Sequence, residues 1–460
     1  MRTKIFLLAI IFFFSYYFLC SGEQGKLGIY YFYTPEMGDV SEFEITYTRL
    51  VIPWGAIEPK RGVFNWNSTS AQRIERSLEK GIIPIPVIRT VGASWATGGN
   101  DPSVSFPPLD LENEFSQEYG FSKSYYLFIK AIAEHWQGKF PIIVIENEVT
   151  ANNFWQGTMN DYLKLLKTAK KAFMDTGQNI RIADSGLASP IWGLLITQQM
   201  LKNGEKKEAL EFFNAYISEH PGFKQLSSIH ELEEFFAETK VIEVLEEAKF
   251  LLDKLPKYVD IINFHYYENP LLLPTVINYL RQRTNNMPLM SNEMGIRYWP
   301  YTPELNRKAS GDLVKKMTFS LFYGLEACIW FPFENPEHNI IGLIKKYSFQ
   351  KRPIYFTCKV TVSKLNESVE GTKLNFGEDL YAFKFLNNGK PIWVIWSERN
   401  DKTIKLNINS SYAIITHIIT NEDSTEPEIE ILPVSGKLLN LTATQTPVFI
   451  EIPKQIRRRR

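Results

Sequence analysis

The stretch PIIVIENEVT, Pro141–Thr150, decides the fold. Ile142–Ile145 is an unbroken β-branched run, the character of a strand buried on both faces in a parallel sheet covered by helices. The run stops abruptly at Glu146, Asn147 and Glu148. Polar residues at that point stand where the sheet ends, and in a barrel of alternating strands and helices the C-terminal rim hosts the chemistry. PLMSNEMG, Pro288–Gly295, has the same form, a short apolar run leading into Glu293.

Outward from these two stretches, strand-like and helical runs alternate through about 355 residues, the pattern of α/β architecture. The expected strands are Gly28–Tyr33, Tyr47–Trp54, Ile82–Thr90, Ile142–Glu148, Ile180–Asp184, Val259–Tyr267, Pro288–Glu293 and Ala327–Phe333. Amphipathic segments lie between them, among them Ser70–Lys80, Ser122–Gln137, Met159–Thr176 and Gly311–Gly324, with apolar residues three and four apart. Eight strands with intervening helices predict a (β/α)8 TIM barrel over residues 25–358. The fifth connection, Ile191–Lys257, is long and reads as several helices, with Glu231–Leu255 the clearest. It either covers the active-site face or elaborates the outer helical layer.

After Phe356 the pattern becomes short alternating runs: LYAFKFLNNGK, PIWVIWSERN, TIKLNI, AIITHII and PVFIEIP. These predict a small all-β sandwich over 365–455, with Asn387-Asn388-Gly389 as a hairpin turn. Ahead of the barrel, Arg2 and Lys4 precede an apolar run of about sixteen residues, the layout of a secretory signal over residues 1–22. The expected location is secreted or cell-envelope, with Cys20 lipidation or an uncleaved anchor as alternatives. Membrane association is expected only through this segment.

Fifty-one basic residues balance fifty-one acidic ones, which argues against a nucleic-acid partner. Arg457–Arg460 reads as a solvated tail. Cys328 and Cys358 are expected as free thiols, Cys328 facing the barrel centre if Trp330 does and Cys358 on an outer helix. Aromatics reach 14%, including ten Trp and 22 Tyr. That excess suits stacking on sugar C–H faces, and it equally suits a large core.

Tyr47–Trp66, YTRLVIPWGAIEPKRGVFNW, resembles the second-strand signature of retaining glycoside hydrolases of clan A, through Arg49, Trp54, Ile57, Glu58, Pro59, Gly62 and Trp66. Asn147-Glu148 is similar to that clan's fourth-strand pair, His265 and Tyr267 to its sixth-strand His-x-Tyr, Glu293 to its seventh-strand Glu and Trp330 to its eighth-strand Trp. Families 39 and 5 are the nearest in flavour. The departures are Glu146 where the motif usually carries a Trp-like residue, and Val149 where it often carries Pro.

The resemblance implies Glu148 as acid/base and Glu293 as nucleophile, with Arg49, Asn147, His265, Tyr267, Trp330, Trp54 and Trp155 binding substrate. Trp95, Tyr298 and Trp299 are further rim candidates, whereas Glu58 belongs to the loop fold. Retaining hydrolysis needs two carboxyl groups about 5 to 5.5 Å apart, one protonating the leaving oxygen and one attacking the anomeric carbon. The implied substrate is an oligosaccharide, polysaccharide or glycoconjugate with β- or equatorial linkages. No cofactor or metal is expected, since no second His stands at ligand spacing from His265. Two other functions remain open: a catalytically silent carbohydrate-binding or scaffold protein on the same barrel, and a metal-dependent barrel hydrolase.

Overall fold

The computed structural model describes residues 26–31, 40–297, 303–334 and 340–453. The signal-like segment, Tyr298, Trp299 and Arg457–Arg460 lie outside these ranges. Among the described residues, no helix is long and apolar enough to cross a membrane.

Eight parallel strands form one sheet: β1 Lys26–Ile29, β2 Tyr47–Pro53, β3 Ile83–Arg89, β4 Ile142–Ile145, β5 Arg181–Ala183, β6 Ile262–Tyr266, β7 Leu289–Met294 and β8 Ala327–Trp330. Their order is β5-β4-β3-β2-β1-β8-β7-β6, and a parallel bridge from Ala183 to Ile261 joins the two ends. The barrel expected from the alternation is therefore present. Side chains with period two divide cleanly. Tyr47, Ile85, Val144, Ile261, Met290 and Ile329 meet in the interior, while Leu50, Ile143, Phe264 and Trp330 pack outward under the helices.

The helices begin where short polar side chains can cap them. Ser68 accepts from the Ala71 amide, Ser122 from the Tyr125 amide, and Thr158 forms a capping box with Asp161. The expected Gly311–Gly324 helix runs instead over Pro303–Phe322. Pro at the first helical position needs no N–H partner, and Gly311 is carried inside the helix rather than starting it. The Glu231–Leu255 run divides into Ile229–Ala237 and Thr239–Lys254, because Glu238 takes an extended conformation (φ −63°, ψ 130°). Together with Pro190–Lys202 and Lys206–Ile217, these helices pack on the outer layer against Met159–Asp175 and Leu273–Arg283. None of them lines the central cleft, so the fifth connection elaborates the outer layer.

Beyond the helix Pro353–Leu365 come β9 Ser368–Leu374, β10 Leu380–Asn387, β11 Lys390–Ser397, β12 Lys402–Asn407, β13 Tyr412–His417, β14 Ile429–Pro433, β15 Leu438–Ala443 and β16 Val448–Glu451. A six-stranded sheet, β14-β13-β16-β11-β10-β9, faces the pair β12-β15, and none of these strands enters the barrel. The hairpin turn lies at Asn388 and Gly389, both with positive φ (50° and 73°), as a tight primed turn requires. The sheet buries both faces. Trp393 and Ile395 face β12 and β15, whereas Ile392, Val394 and Trp396 pack towards the barrel helices, where Trp396 meets Phe319 at 5.7 Å. That double burial explains the continuous apolar run PIWVIW.

Candidate active site

The cleft lies at the C-terminal ends of the barrel strands, with a volume of about 460 Å³. Its walls include Tyr30, Arg49, Arg89, Asn147, Glu148, Phe154, Tyr267, Glu293, Arg297 and Phe331. Local backbone explains why three successive polar residues after β4 diverge. Glu146 and Glu148 both adopt left-handed φ (64° and 42°). Each such residue costs about 1–3 kcal/mol and persists only where its surroundings hold it. Here the Glu146 amide donates to the Ile88 carbonyl (2.9 Å) and the Glu148 amide to the Ser185 carbonyl (3.2 Å), pinning the turn from the neighbouring β3 and from the segment after β5.

The side chains then separate by role. Glu146 is fully buried and accepts the Thr90 amide at 2.7 Å, with the Arg89 Nε 3.8 Å from its other oxygen. Burial pushes its carboxyl above the ordinary value, against the pull of Arg89. It lies behind the cleft wall. Asn147 accepts from the Arg49 guanidinium at 2.7 Å, and the same guanidinium nitrogen stands 2.8 Å from Glu293. Glu148 reaches the cleft and lies 2.7 Å from His265 Nδ1.

Glu293 owes its direction to a β-bulge. The register between β6 and β7 slips so that Asn263 pairs with Met290 and His265 with Glu293, one residue more on β7. A bulge lets two successive side chains face one side. Asn292 and Glu293 accordingly both point inward: Asn292 Oδ1 accepts from Asn263 at 2.9 Å, and Glu293 accepts the Tyr267 hydroxyl at 2.6 Å. Asn263 is itself fixed by Asp184, which accepts its amide at 2.7 Å. Burial lifts the Asp184 carboxyl to about 7, against the amides of Asn263 and Gly186 that favour its charge.

Burial likewise pushes the Glu293 carboxyl up, but His265, Arg49 and the Tyr267 hydroxyl outweigh it and hold the group below its ordinary value. For His265, burial favours the neutral ring, while the Glu293 charge and the hydrogen bond and charge of Glu148 outweigh that and raise its pKa. Asn292 Oδ1 already accepts from Asn263, so His265 Nε2, 3.0 Å away, is assigned as its second donor. His265 Nδ1 and the Glu148 carboxyl, 2.7 Å apart, then face each other in a single hydrogen bond. One oxygen of Glu148 and one of Glu293 lie within 4.8 Å of each other.

The expected site residues do not all converge. Arg49, Asn147, Glu148, Tyr267 and Glu293 line one cleft. His265 is fully buried beneath it, 2.7 Å from Glu148 and 3.4 Å from Glu293, so it bridges the carboxylates instead of facing the cavity. Trp330 points outward into the helical layer, because Ile329 and Phe331 hold the inward parity of β8. Phe331 takes the wall position and stacks on Tyr30 at 4.8 Å. Cys328 shares the outward parity of Trp330 and lies near Cys358; both are buried free thiols.

Trp54 is also outward and fully buried, stacked on Phe128 at 5.1 Å and donating to Glu58 at 2.8 Å. Glu58 accepts the Gly62 amide as well, at 2.7 Å, and Gly62 needs its left-handed φ of 72°, so this part of the second-strand signature closes a loop. Trp155 is buried against Tyr162 outside the cleft, and its neighbour Phe154 forms the wall instead. Trp95 lines a separate side groove with Arg61 over its ring.

Sequence reasoning missed Arg89, Phe154, Asn292, Arg297 and Phe331. Arg89 stands one residue before the end of the expected strand Ile82–Thr90 and Asn292 directly precedes Glu293, so both carried a positional signal.

No protein-family model and no curated protein matches this chain in sequence. Solved structures do match in shape. A family 39 glycoside hydrolase from the gut symbiont Bacteroides cellulosilyticus WH2 aligns over 94% of this chain and 81% of its own, at TM-score 0.61 and 16% identity. A family 39 β-xylosidase from Caulobacter crescentus aligns over 94% and 96% respectively, at 0.56 and 13%. A family 30 endoxylanase from Clostridium papyrosolvens C71 aligns over 94% and 98%, at 0.55 and 11%. At these identities the likeness is one of fold: the chain carries the barrel-and-sandwich architecture of the family 39 and family 30 glycoside hydrolases.

Proposed function

We propose that the protein is a retaining glycoside hydrolase that cleaves O-glycosidic bonds of an oligosaccharide, polysaccharide or glycoconjugate through a covalent glycosyl-enzyme. The observation that carries this reading is the pair Glu148 and Glu293, with oxygens within 4.8 Å and unlike surroundings. That spacing is on the side of the 5 to 5.5 Å typical of retention and well short of the roughly 6.5–9.5 Å that admits a water molecule for inversion. The surroundings divide the roles. Glu293 has a donor on each oxygen, Arg49 at 2.8 Å and Tyr267 at 2.6 Å, which favours the ionised form a nucleophile needs. Glu148 faces His265, which can hold or return its proton as the residue alternates between acid and base. Asn147, oriented by Arg49, stands beside both carboxylates as the donor to the sugar 2-hydroxyl.

The direct test follows the anomeric proton of the first-formed product by NMR during hydrolysis of aryl glycosides. Retention is expected; first formation of the inverted anomer would overturn the mechanism. The donors of Glu148, His265 and Glu293 are also close enough to grip a cation. Arg49 and Tyr267 already occupy the Glu293 oxygens, so activity is expected to survive a chelator. The N-terminal apolar segment supports secretion or attachment to the cell envelope, which fractionation of expressing cells would establish.

Tyr267→Phe is expected to move the acid limb of the kcat/KM profile to higher pH. The hydroxyl helps to hold the Glu293 pKa down; without it the pKa rises, and the nucleophile is ionised only at higher pH. On the acid side the rate should fall on the order of tenfold, as for loss of one hydrogen bond to a charged group. An unmoved acid limb would remove Tyr267 from this role.

A further inference from the structure

Among the described residues, three arginines line the cleft, and two of them have a carboxylate partner there. Arg49 is balanced by Glu293 at 2.8 Å. Arg89 has Glu146 behind it at 3.8 Å and donates to the carbonyls of Ser103 (2.9 Å) and Phe154 (3.1 Å). Arg297, which lines the cleft four residues beyond Glu293, has no carboxylate partner among the described residues. Its guanidinium lies over the Tyr267 ring, 4.6 Å from the centroid, and its Nε is buried without a hydrogen-bond acceptor.

Charge in the working state follows from these pairings. Ionised Glu293 cancels Arg49, Glu148 carries its proton in the acid role proposed above, His265 can only add positive charge, and Glu146 at most cancels Arg89. His220 adds no positive charge near neutral pH, since burial and the Arg297 charge lower its pKa to about 4. Among the described residues, Arg297 therefore leaves at least one positive charge uncompensated inside a partly enclosed cavity. A neutral sugar would desolvate that charge without answering it, which is costly. An anionic group would answer it with charge-assisted, in-plane hydrogen bonds, and a guanidinium held by its face on an aromatic ring keeps its N–H edge free for such a ligand.

Resting on the glycosidase reading above, we infer that the preferred substrate carries an anionic substituent, a carboxylate or a sulfate ester, on the sugar adjoining the scissile bond. Arg297 is the specificity-determining residue that selects it.

The test separates binding from turnover. Calorimetry would compare matched methyl glycosides that differ only in charge: glucoside with glucuronide, galactoside with galacturonide, and N-acetylglucosaminide with its 6-sulfate. At least one anionic member should bind tenfold to a hundredfold more tightly than its neutral twin, with the preference weakening as salt rises. Arg297→Gln should abolish the preference and Arg297→Lys should keep part of it, with both variants melting like the parent. A response confined to the uronides assigns a carboxylate, and one confined to the 6-sulfate assigns a sulfate ester. Equal or weaker binding of every anionic member overturns the inference, as does a preference that survives Arg297→Gln. Anion-selective binding without any hydrolysis sustains the inference for the cleft while the glycosidase reading falls; hydrolysis of neutral twins with no anion preference does the reverse.

Discussion

Glu293→Ala is expected to lose turnover of an activated aryl glycoside by on the order of a million-fold, the scale on which covalent hydrolases fail without their nucleophile. The loss should be chemical and not structural. Glu293 lies one residue before the end of β7, whose fold is held by the β6–β7 register and by the Asn263–Asn292 pairing, and neither depends on the carboxylate. What remains is a small cavity facing Arg49, Tyr267 and His265, a set of donors arranged for an anion. Added azide should occupy it and attack the anomeric carbon from the face where the carboxylate stood, with Glu148 still protonating the leaving oxygen. A single displacement inverts configuration, so NMR should find a glycosyl azide of inverted anomeric configuration. A retained azide from this variant would assign the nucleophile to Glu148 instead.

The same geometry explains which parts of the site were legible in the sequence. Existence and order of the barrel strands follow from composition: IIVI and ACIW are apolar because both faces are buried, and that pattern survives any error in parity. Direction at the strand ends is a different matter, because it depends on single-residue backbone events. The β7 bulge turns both Asn292 and Glu293 inward, and the left-handed φ of Glu146 and Glu148 spreads three neighbours over three partners. Neither event leaves a composition signal, since no glycine marks the left-handed positions.

Trp330 shows the converse error. The last residue of β8 is aromatic, but the inward parity set by Ala327 and Ile329 falls on Phe331, and aromatic identity alone does not reveal parity. Trp54 and Trp155, implied by the resemblance to bind substrate, show that indoles suit a sugar site and a core equally. The structure places them in the outer core, where their area is spent on helix packing. Arg297 is silent in the sequence for a plainer reason: it follows the strand, and its significance lies in the lack of a carboxylate partner among the described residues, which only three-dimensional charge balance exposes.

Glu148→Ala should give the opposite signature from Glu293→Ala, a loss that depends on the leaving group. An aryl glycoside with a strongly acidic phenol needs little protonation, so formation of the glycosyl-enzyme should be nearly spared. A poor leaving group should lose on the order of 10²–10⁴, the usual contribution of a positioned acid. The second step also suffers, because Glu148 acts there as the base that activates water. With good leaving groups the covalent intermediate should accumulate, and azide, which needs no base, should speed its breakdown and yield the retained glycosyl azide after two displacements. Glu146 is the rival proton donor, two residues away and with a pKa raised by burial. Its carboxyl is turned to the Thr90 amide and Arg89 behind the cleft wall, whereas Glu148 reaches the cleft and is backed by His265. Glu146→Gln should therefore show a uniform loss across leaving groups, through disturbed Arg89. Leaving-group dependence in Glu146→Gln and not in Glu148→Ala would transfer the acid role to Glu146.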